Sequence, residues 1–364
     1  MNAFGARYAG RRVLVTGHTG FKGSWLALWL EMLGARVAGL SLPAPTTPSH
    51  HALLQPAYDD AQVDLRDAAA VRDALARFAP QIVFHLAAQP LVRASYREPA
   101  QTFDTNVMGL VNLLEAVRAV PSVRAVLVVT TDKCYENREW EFAYRETDPL
   151  GGHDPYSASK ACAEIVSASW RASFLGAGDG RGHPVLLATA RAGNVIGGGD
   201  WAAERIVPDL ARALAAGESV RVRRPSAIRP WQHVLEPLAG YLALGARLLD
   251  GDARFADAFN FGPADDDTLT VGELVRAFAR HWPALRCEFA SADDGPHEAG
   301  LLRLDSARAR SRLGWRPVWR SERAVERTAA WYRRHLDDGG IESAADVERF
   351  VADARAAGAP WSLE

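Results

Sequence analysis

Three side chains that can move protons follow one short apolar stretch of this chain. Residues 125–129, AVLVV, are all apolar, which is typical of a buried strand in a parallel sheet. Directly after this stretch, Thr131, Asp132 and Lys133 offer a hydroxyl, a carboxyl and an amine. Ligands bind to open α/β sheets at the carboxyl ends of the strands. We therefore predict that these three residues are catalytic.

A glycine-rich turn follows the predicted first strand, residues 12–16, and opens a helix. Glycine at such a turn allows backbone N–H groups to approach a pyrophosphate. The spacing is G-x-x-G-x-x-G and not the usual G-x-G-x-x-G, so an ordinary strand-to-helix loop is the alternative interpretation. Its place at the first strand favours dinucleotide binding. The predicted cofactor contacts of the turn are Gly17, His18, Thr19, Gly20, Phe21, Lys22 and Gly23.

The sequence gives weaker signals for the remaining cofactor contacts. The usual fingerprint has an acidic residue about 20 positions further on, but here the second strand ends in Leu-Ser-Leu. Ser41 can offer one hydrogen bond, and Asp64 with Leu65 are candidates for the adenine region. The residues alone do not decide between NAD and NADP. Further predicted cofactor contacts are Leu86, Ala87, Ala88, Gln89 and Thr105.

Tyr156 and Lys160 form a second reactive pair. They are four positions apart, so they share one face of a helix. An ammonium near a phenol lowers the pKa of that phenol from its usual value of about 10, and a nicotinamide cation acts in the same direction. The phenolate can then accept a hydroxyl proton as a hydride leaves the same carbon. The alternative is a surface pair, but the preceding glycine turn favours a catalytic and cofactor-binding role.

Strands and helices alternate along the first half of the chain, which predicts a doubly wound parallel sheet of the Rossmann type. We expect residues 1–195 to form this domain. The rhythm changes near residue 195, and residues 196–364 are expected to form mainly a smaller α/β substrate-binding lobe. Some strands of this lobe are allowed to return to the first domain. Residues 43–60 are predicted to be one long loop, residues 62–65 a short strand, and residues 99–120 one long helix.

The composition limits the possible partners. The net charge is -2, with 48% hydrophobic and 24% charged residues, which gives no reason to expect nucleic acid or an acidic membrane as partner. The three cysteines lack metal-ligand spacing and are too few for a disulfide framework, so we predict no metal site and a reducing, cytoplasmic location. No signal peptide is expected, and no apolar run reaches the roughly 18 to 20 residues of a membrane span.

Three segments of this sequence resemble the extended short-chain dehydrogenase/reductase superfamily: TGHTGFKG at 16–23, LAAQP at 86–90 and YSASK at 156–160. Within that superfamily, TDKCYEN at 131–137 is similar to the nucleotide-sugar 4,6-dehydratases, and most specifically to the group that acts on CDP-glucose. Further matching segments are LPAP at 42–45, ARAGNVIGGGDW at 190–201, IRPWQHV at 228–234 and LGW with Pro317 at 313–317. The likeness therefore covers nearly the whole chain.

The resemblance implies a lyase that converts CDP-glucose to CDP-4-keto-6-deoxyglucose with tightly bound NAD that is regenerated in each turnover. The sugar is oxidised at C4, loses water across C5 and C6, and is reduced at C6. Tyr156 is the base at the C4 hydroxyl, Thr131 binds the C4 oxygen, and Asp132 is the acid at C6. Burial would keep Asp132 protonated. Lys133 is either the C5 base or a group that stabilises the enolate charge.

The substrate-binding candidates are polar residues that follow predicted strands. Gln89 and Arg93 are candidates for the sugar pocket, and Asn194 resembles the superfamily's contact with the substrate diphosphate. Arginine side chains match phosphate oxygens well. The candidates for the diphosphate are Arg205, Arg223 and Arg229, and His297 is a candidate for the base or ribose.

Three alternatives stay open at this point. The chain could be another nucleotide-sugar 4,6-dehydratase or a 4-epimerase on the same scaffold, although Asp132 argues against an epimerase. It could also be a dinucleotide-binding regulatory protein without chemistry, against which Tyr156 and Lys160 argue. The cytidine base of the substrate is implied by resemblance alone. Relatives suggest a homodimer through a four-helix interface of residues 99–120 and 156–175, or a higher homo-oligomer.

Overall fold

The computed structural model describes residues 2–176, 184–290 and 300–363. The strands are β1 (Arg12–Thr16), β2 (Arg36–Ser41), β3 (Asp59–Gln62), β4 (Ile82–His85), β5 (Ala125–Val129), β6 (Leu186–Ala192), β7 (Val195–Ile196), β8 (Ser219–Val222), β9 (Ile228–Arg229), β10 (Gln232–His233), β11 (Ala258–Phe261), β12 (Leu269–Thr270) and β13 (Arg286–Phe289).

The α-helices are α1 (Phe21–Met32), α2 (His50–Leu54), α3 (Ala68–Phe78), α4 (Val92–Arg97), α5 (Pro99–Phe103), α6 (Gly109–Ala119), α7 (Pro155–Ser173), α8 (Ile206–Ala216), α9 (Leu235–Leu249), α10 (Val271–His281), α11 (Ser321–Asp338), α12 (Ser343–Ala356) and α13 (Pro360–Leu363). Among the described residues, we find no helix that combines the length and the apolar character needed to cross a membrane.

Seven strands form the central sheet in the order β3-β2-β1-β4-β5-β6-β11. All neighbouring strands in it are parallel, which confirms the predicted doubly wound α/β fold. The chain leaves β1 toward one edge of the sheet and continues from β4 toward the other. A crevice opens at such a switch point, at the carboxyl ends of the strands. The glycine turn after β1 and the segment that begins at Leu86 border this crevice.

Helices cover both faces of the sheet, and β5 shows this most clearly. All five residues of β5 are buried, as expected for a central parallel strand. Ala125, Leu127 and Val129 belong to one hydrophobic core, whereas Val126 and Val128 belong to another core on the opposite face. This alternation follows from the two-residue period of a strand. The strand therefore holds the Thr131–Lys133 segment at a rigid position in the crevice.

Two predicted elements near the edge of the sheet are placed differently. The strand predicted at 62–65 is β3, which pairs with β2 from Asp59 to Gln62, and the loop predicted at 43–60 contains α2. The β3 sequence, DDAQ, is polar and largely exposed at the sheet edge, so it has no apolar alternation that a sequence pattern could detect.

The helix predicted at 99–120 is interrupted. It consists of α5, a π-helical segment at Asp104–Met108, and α6. Where the segment ends, Gly109 lies against Leu65, because a Cβ on this glycine would stand 2.9 Å from the Leu65 Cβ. π-helical turns inside α-helices are frequent at functional sites, and this one brings Thr105 and Asn106 toward the crevice side of α7.

The second half of the chain is built from short strand pairs and helices. β7 pairs with β10 and β8 with β13 in parallel, and β9 pairs with β12 in antiparallel orientation. β11 returns to the central sheet as an edge strand beside β6. Near the C-terminus, α12 packs against α1. The second half of the chain therefore contributes a strand to the sheet of the first half and a helix that packs on α1.

Candidate active site

The glycine turn lies directly against the end of β4. Gly17 has a φ of +75°, and a Cβ there would stand 2.6 Å from the backbone nitrogen of Ala87. A Cβ on Gly23 would overlap the carbonyl oxygen of Gly17. The turn is therefore packed so closely that only glycine fits these two positions. It places the N-terminus of the 12-residue helix α1 at the crevice, and a helix N-terminus favours a phosphate group.

The side chains of the turn face in different directions. Thr19 Oγ1 lies 2.9 Å from Ser41 Oγ and donates to the carbonyl oxygen of Leu42. The structure thus places Ser41 beside the turn, at the end of β2. The His18 ring is fully buried beside Asp60, with 2.9 Å between His18 Nε2 and Asp60 Oδ1.

Asp64 and Leu65, the candidates for the adenine region, contact residues outside the glycine turn. Asp64 accepts hydrogen bonds from Arg66, two residues further on, and these bonds lower the pKa of the Asp64 carboxyl. Leu65 is buried against Gly109, and its carbonyl oxygen accepts a hydrogen bond from Asn112. Asp64 therefore bonds within its own loop, and Leu65 supports the helix that contains Thr105.

The segment after β4 is fixed by an asparagine that the sequence analysis did not select. Asn106 Oδ1 accepts the backbone N–H of Gln89, and Asn106 Nδ2 donates to Ser159 Oγ on α7 at 2.9 Å. The Gln89 side chain donates to the carbonyl oxygen of Leu91 and to Thr102 Oγ1. Leu86, Ala87 and Ala88 form the stretch between β4 and Gln89, and Thr105 is half-buried next to Asn106. No local pattern identifies Asn106, because Gln101, Thr102, Asp104 and Thr105 beside it are also polar.

The three residues predicted to be catalytic after β5 lie together with Tyr156. Thr131 caps a short 3₁₀ turn at Asp132–Cys134 by accepting the backbone N–H of Lys133, and its hydroxyl lies 2.9 Å from Asp132 Oδ1. Tyr156 lies near enough to Thr131 for the threonine hydroxyl to lower the pKa of the phenol. Thr131 therefore stands between the carboxyl of Asp132 and the phenol of Tyr156, and Lys133 is half-buried beside them.

Asp132 is in an environment that favours its protonated form. The residue is 2% exposed, and its Oδ2 atom has no hydrogen-bond partner within the described ranges. Burial raises the pKa of the Asp132 carboxyl, and the nearby charge of Lys133 opposes this effect without cancelling it. A buried carboxyl with a raised pKa can serve as a general acid.

Tyr156 and Lys160 lie on the first turns of α7, but the expected effect of the lysine on the tyrosine is not observed. Burial raises the pKa of Tyr156 to about 12, whereas the sequence analysis predicted a lowered value. The Lys160 ammonium donates to the carbonyl oxygen of Val129 at 3.2 Å, and burial lowers the pKa of Lys160 to about 8. The prediction was wrong in direction because burial acts more strongly on the phenol than any positive charge near it.

Cations surround this group of residues. The Lys22 ammonium lies 5.8 Å from the ring centroid of Tyr241, and burial, together with the charge of Arg205, lowers the pKa of Lys22 to about 8. Arg205 donates to Asp200 at 2.9 Å and is close enough to act on the pKa of Tyr156. Arg229 acts in the same way on Asp132. This side of the crevice is therefore positively charged, as a phosphate-binding site requires.

The other predicted substrate contacts are less closely grouped. Arg93 Nη1 lies 3.5 Å from Glu204 Oε1, so it links α4 to the loop before α8. Asn194 follows Gly193, at which a Cβ would stand 3.0 Å from Asp132 Oδ2. Arg223 is exposed just after β8 and lies in a groove with Asp209. Among the described residues, we find no contact between Arg223 and Asp132. His297 lies outside the described residues.

A buried ion pair behind the reactive segment was also not identified from the sequence. Glu164 on α7 accepts hydrogen bonds from Thr130 at 2.5 Å, Thr189 at 2.7 Å and Arg191 at 2.8 Å. Arg191 also donates to the hydroxyl of Tyr135 at 2.9 Å. This pair joins β6 and α7 to both ends of the reactive segment. The signal was an arginine inside an otherwise apolar strand.

Comparison with known proteins gives a family match and close relatives. The model of the NAD dependent epimerase/dehydratase family matches residues 13–256. The chain is 48% identical over 328 residues to CDP-glucose 4,6-dehydratase of Salmonella typhimurium, and the match covers 90% of this chain and 91% of that protein.

Two solved structures have similar folds. UDP-glucose 4-epimerase of Thermus thermophilus, solved in complex with NAD, is 26% identical with a TM-score of 0.75, and the match covers 88% of this chain and 99% of that one. A dTDP-glucose 4,6-dehydratase of Streptomyces venezuelae, also solved with NAD, is 24% identical with a TM-score of 0.73, over 90% of this chain and 98% of that one.

Proposed function

Because the chain belongs to the NAD dependent epimerase/dehydratase family, we propose that it is a lyase that converts CDP-glucose to CDP-4-keto-6-deoxyglucose. The observation that carries this proposal is the buried carboxyl of Asp132 beside Thr131 and Tyr156. A 4-epimerase needs the tyrosine and the threonine, but it does not expel the C6 hydroxyl of its sugar and so needs no acid there. The similarity to the Salmonella enzyme supports the cytidine base of the substrate.

The cofactor is NAD, and the crevice fits it. Only glycine fits at Gly17 and Gly23, and the turn brings a helix N-terminus to the place where the pyrophosphate would bind. The chemistry that NAD supplies when bound is reversible storage of a hydride, which allows oxidation at C4 and later reduction at C6. We propose that the turn Gly17–Gly23, Ser41, Asp64, Leu65, the stretch Leu86–Gln89 and Thr105 hold it, with Tyr156 and Lys160 at its reactive end.

Tyr156 begins the reaction by accepting the proton of the C4 hydroxyl, while Thr131 donates a hydrogen bond to the same oxygen. The threonine hydroxyl lies near enough to the phenol to lower its pKa, so both can contact one substrate oxygen. A positive charge next to a phenol lowers its pKa. Arg205 supplies such a charge in this structure, and we propose that Lys160, one helical turn further along α7, adds to it during the reaction.

Asp132 and Lys133 carry out the elimination of water. The ketone at C4 acidifies the C5 hydrogen, and Lys133 either removes that proton or stabilises the enolate that forms. Asp132 donates its proton to the departing C6 hydroxyl, which leaves as water. The raised pKa of Asp132 keeps that proton in place until it is needed.

The substrate would bind in the part of the crevice that the second half of the chain completes. We propose that Arg205 and Arg229 bind the diphosphate, because both lie close enough to act on the pKa values of Tyr156 or Asp132. Asn194 follows the glycine that lies against Asp132, which supports a substrate contact there. Gln89, Arg93 and His297 belong to the proposed substrate-binding set, and Arg223, which is exposed beside Asp209, lies at its outer edge.

The proposed organisation of the chain follows from the same arrangement. Residues 1–195 would bind mainly NAD and residues 196–364 mainly the nucleotide sugar. Met108 and Ile165 are 49% and 58% exposed on the segments predicted to form a dimer, which supports a homodimer through a four-helix interface. The cysteines, Cys134, Cys162 and Cys287, are free thiols, which supports a cytoplasmic location.

The proposal is tested by incubating the purified chain with CDP-glucose, dTDP-glucose, GDP-glucose and UDP-glucose in separate reactions. The expected result is a 4-keto sugar, detected by its absorbance in alkali, that forms fastest from CDP-glucose. Ketone formation from only the dTDP or GDP sugars would remove the cytidine assignment. A 4-epimer without any ketone would identify an epimerase, and NAD binding without turnover would identify a regulatory protein.

A further inference from the structure

A cluster of metal-ligand side chains includes one residue of the glycine turn that is proposed to hold NAD, but none of the residues that carry the proposed proton transfers. It consists of His18 after β1, His51 on α2 and Asp60 on β3. One nitrogen of each histidine and one oxygen of Asp60 lie within 4.8 Å of one another. We propose that these residues bind a divalent transition-metal ion, and that the ion is Zn²⁺, which accepts imidazole nitrogen and carboxylate oxygen together.

The His18 ring is held for such a role. The ring is fully buried and lies flat on β2, because a Cβ on Gly39 would stand 2.5 Å from its atoms. His18 Nε2 is 2.9 Å from Asp60 Oδ1, yet neither ring nitrogen has a well-aligned hydrogen-bond partner in the described part of the chain. Two ligands of a tetrahedral Zn²⁺ stand about 3.3 Å apart, given bonds of about 2.0 to 2.1 Å. The two atoms are therefore close enough to bind one ion after they move apart by about 0.4 Å.

His51 is also held in position, through its neighbour His50. The buried ring of His50 lies 2.7 Å from Ser24 Oγ on α1 and 2.7 Å from Ser343 Oγ on α12. These two contacts fix α2 against the core and leave His51 facing the cluster. The hydroxyl of Tyr58 lies 3.3 Å from His51 Nδ1, and such outer contacts orient the ring of a metal ligand.

The third ligand leaves the cluster open to solvent. The Asp60 side chain is 35% exposed, so an ion can enter beside it. Three protein ligands with one open position for water are a common zinc arrangement. The sequence analysis predicted no metal site from the spacing of the cysteines, and His18, His51 and Asp60 do not form a recognisable ligand motif. Bound Zn²⁺ would fasten the first turn, α2 and β3 to one another.

The test is titration of the full chain with Zn²⁺ by calorimetry, and with Co²⁺ by visible absorption. We expect one ion per chain, and a Co²⁺ spectrum of nitrogen and oxygen ligands without a thiolate charge-transfer band. The variants His51→Ala and Asp60→Asn are each expected to weaken Zn²⁺ binding at least about tenfold, since even outer contacts of a metal site contribute this much. The control His281→Ala, at the end of α10, should bind Zn²⁺ like the unmodified chain.

Three results would overturn the proposal. They are the lack of stoichiometric Zn²⁺ binding, unchanged binding by both cluster variants, and a thiolate band with Co²⁺ that would place the ion on cysteine. Thermal unfolding without metal shows whether each variant is folded. If His51→Ala does not fold, the test uses Asp60→Asn, which keeps the shape of the side chain. These readouts do not depend on turnover of CDP-glucose, so the proposed function can fail without affecting them.

Discussion

Two buried carboxyl groups beside the same segment of chain differ in how many partners they have. Asp132 and Glu164 are each 2% exposed. One oxygen of Asp132 is bonded to Thr131, and the other has no partner among the described residues. Both oxygens of Glu164 are bonded, to Thr130, Thr189 and Arg191. Equal burial is therefore combined with an oxygen that lacks a partner among the described residues at Asp132, the acid of the proposed reaction, and with a fully bonded ion pair at Glu164.

The difference shows how the fold supports the chemistry. An unpartnered buried polar group costs stability, so the reactive side of the segment needs support from elsewhere. Glu164 and Arg191 supply that support, since they bond to Thr130 before Thr131 and to Tyr135 after Lys133. We expect changes on the reactive side to affect turnover, and changes on the supporting side to affect unfolding.

The largest effect is expected from Tyr156→Phe, on the reactive side. Loss of a positioned general base reduces the rate by about 10² to 10⁴-fold, and Tyr156 is the base of the first step in the proposed reaction. The measurement is turnover of CDP-glucose together with the midpoint of thermal unfolding. If the variant unfolds at a lower temperature but keeps normal turnover, Tyr156 is a structural residue and not a catalytic one.

On the supporting side, Glu164→Gln keeps the shape of the side chain but leaves the charge of Arg191 buried without its partner. Removal of one member of a buried ion pair lowers the free energy of unfolding by about 3 to 5 kcal/mol. Urea unfolding of the purified variant measures this change.

The matched control for that substitution is Glu115→Gln, which breaks the exposed pair with Arg118, where Nη1 and Oε1 are 2.8 Å apart. A surface pair contributes about 0 to 1 kcal/mol, so this control should unfold nearly like the unmodified chain. Equal losses in both variants would show that the Glu164 pair does not have the supporting role assigned to it.

A smaller effect, on the KM for CDP-glucose, is expected to differ between Arg229 and Arg223, two diphosphate candidates that the sequence could not rank. Arg229 acts on the pKa of Asp132, whereas Arg223 is exposed beside Asp209. Hydrogen bonds to a charged group contribute about 1.5 to 3 kcal/mol, so Arg229→Ala should raise the KM for CDP-glucose by about 10 to 100-fold. Arg223→Ala should change KM by less than about threefold on the same scale. Steady-state kinetics of both variants decide this, and a larger effect at Arg223 would move the diphosphate site toward β8.

The sequence predicted those features that lie within one continuous segment. The sheet, the glycine turn and the strand before Thr131 follow from local patterns, because apolar runs predict buried strands and closely spaced glycines predict turns. The expectation that Tyr156 and Thr131 act on the same sugar oxygen came from the family resemblance. The roles of these residues came from family resemblance.

The features that were missed depend on residues far apart in the chain. Glu164 and Arg191 meet only after β6 packs beside α7, and Asn106 reaches Gln89 only because a π-helical turn rotates it there. The pKa of Tyr156 could not be predicted either, since its direction depends on burial and not on spacing. Polar edge strands such as β3 give no pattern, because one neighbour and open solvent place few demands on their side chains.

The measurement that tests the central claim most directly is a single-turnover reaction of Asp132→Asn with CDP-glucose. The amide keeps the shape of the carboxyl but cannot give up a proton to the C6 hydroxyl. We predict that the cofactor is still reduced, as seen by its absorbance, while the 4-keto-6-deoxy product forms about 10² to 10⁴ times more slowly. Dehydration at the unaltered rate would contradict the account, because Asp132 could then not be the acid.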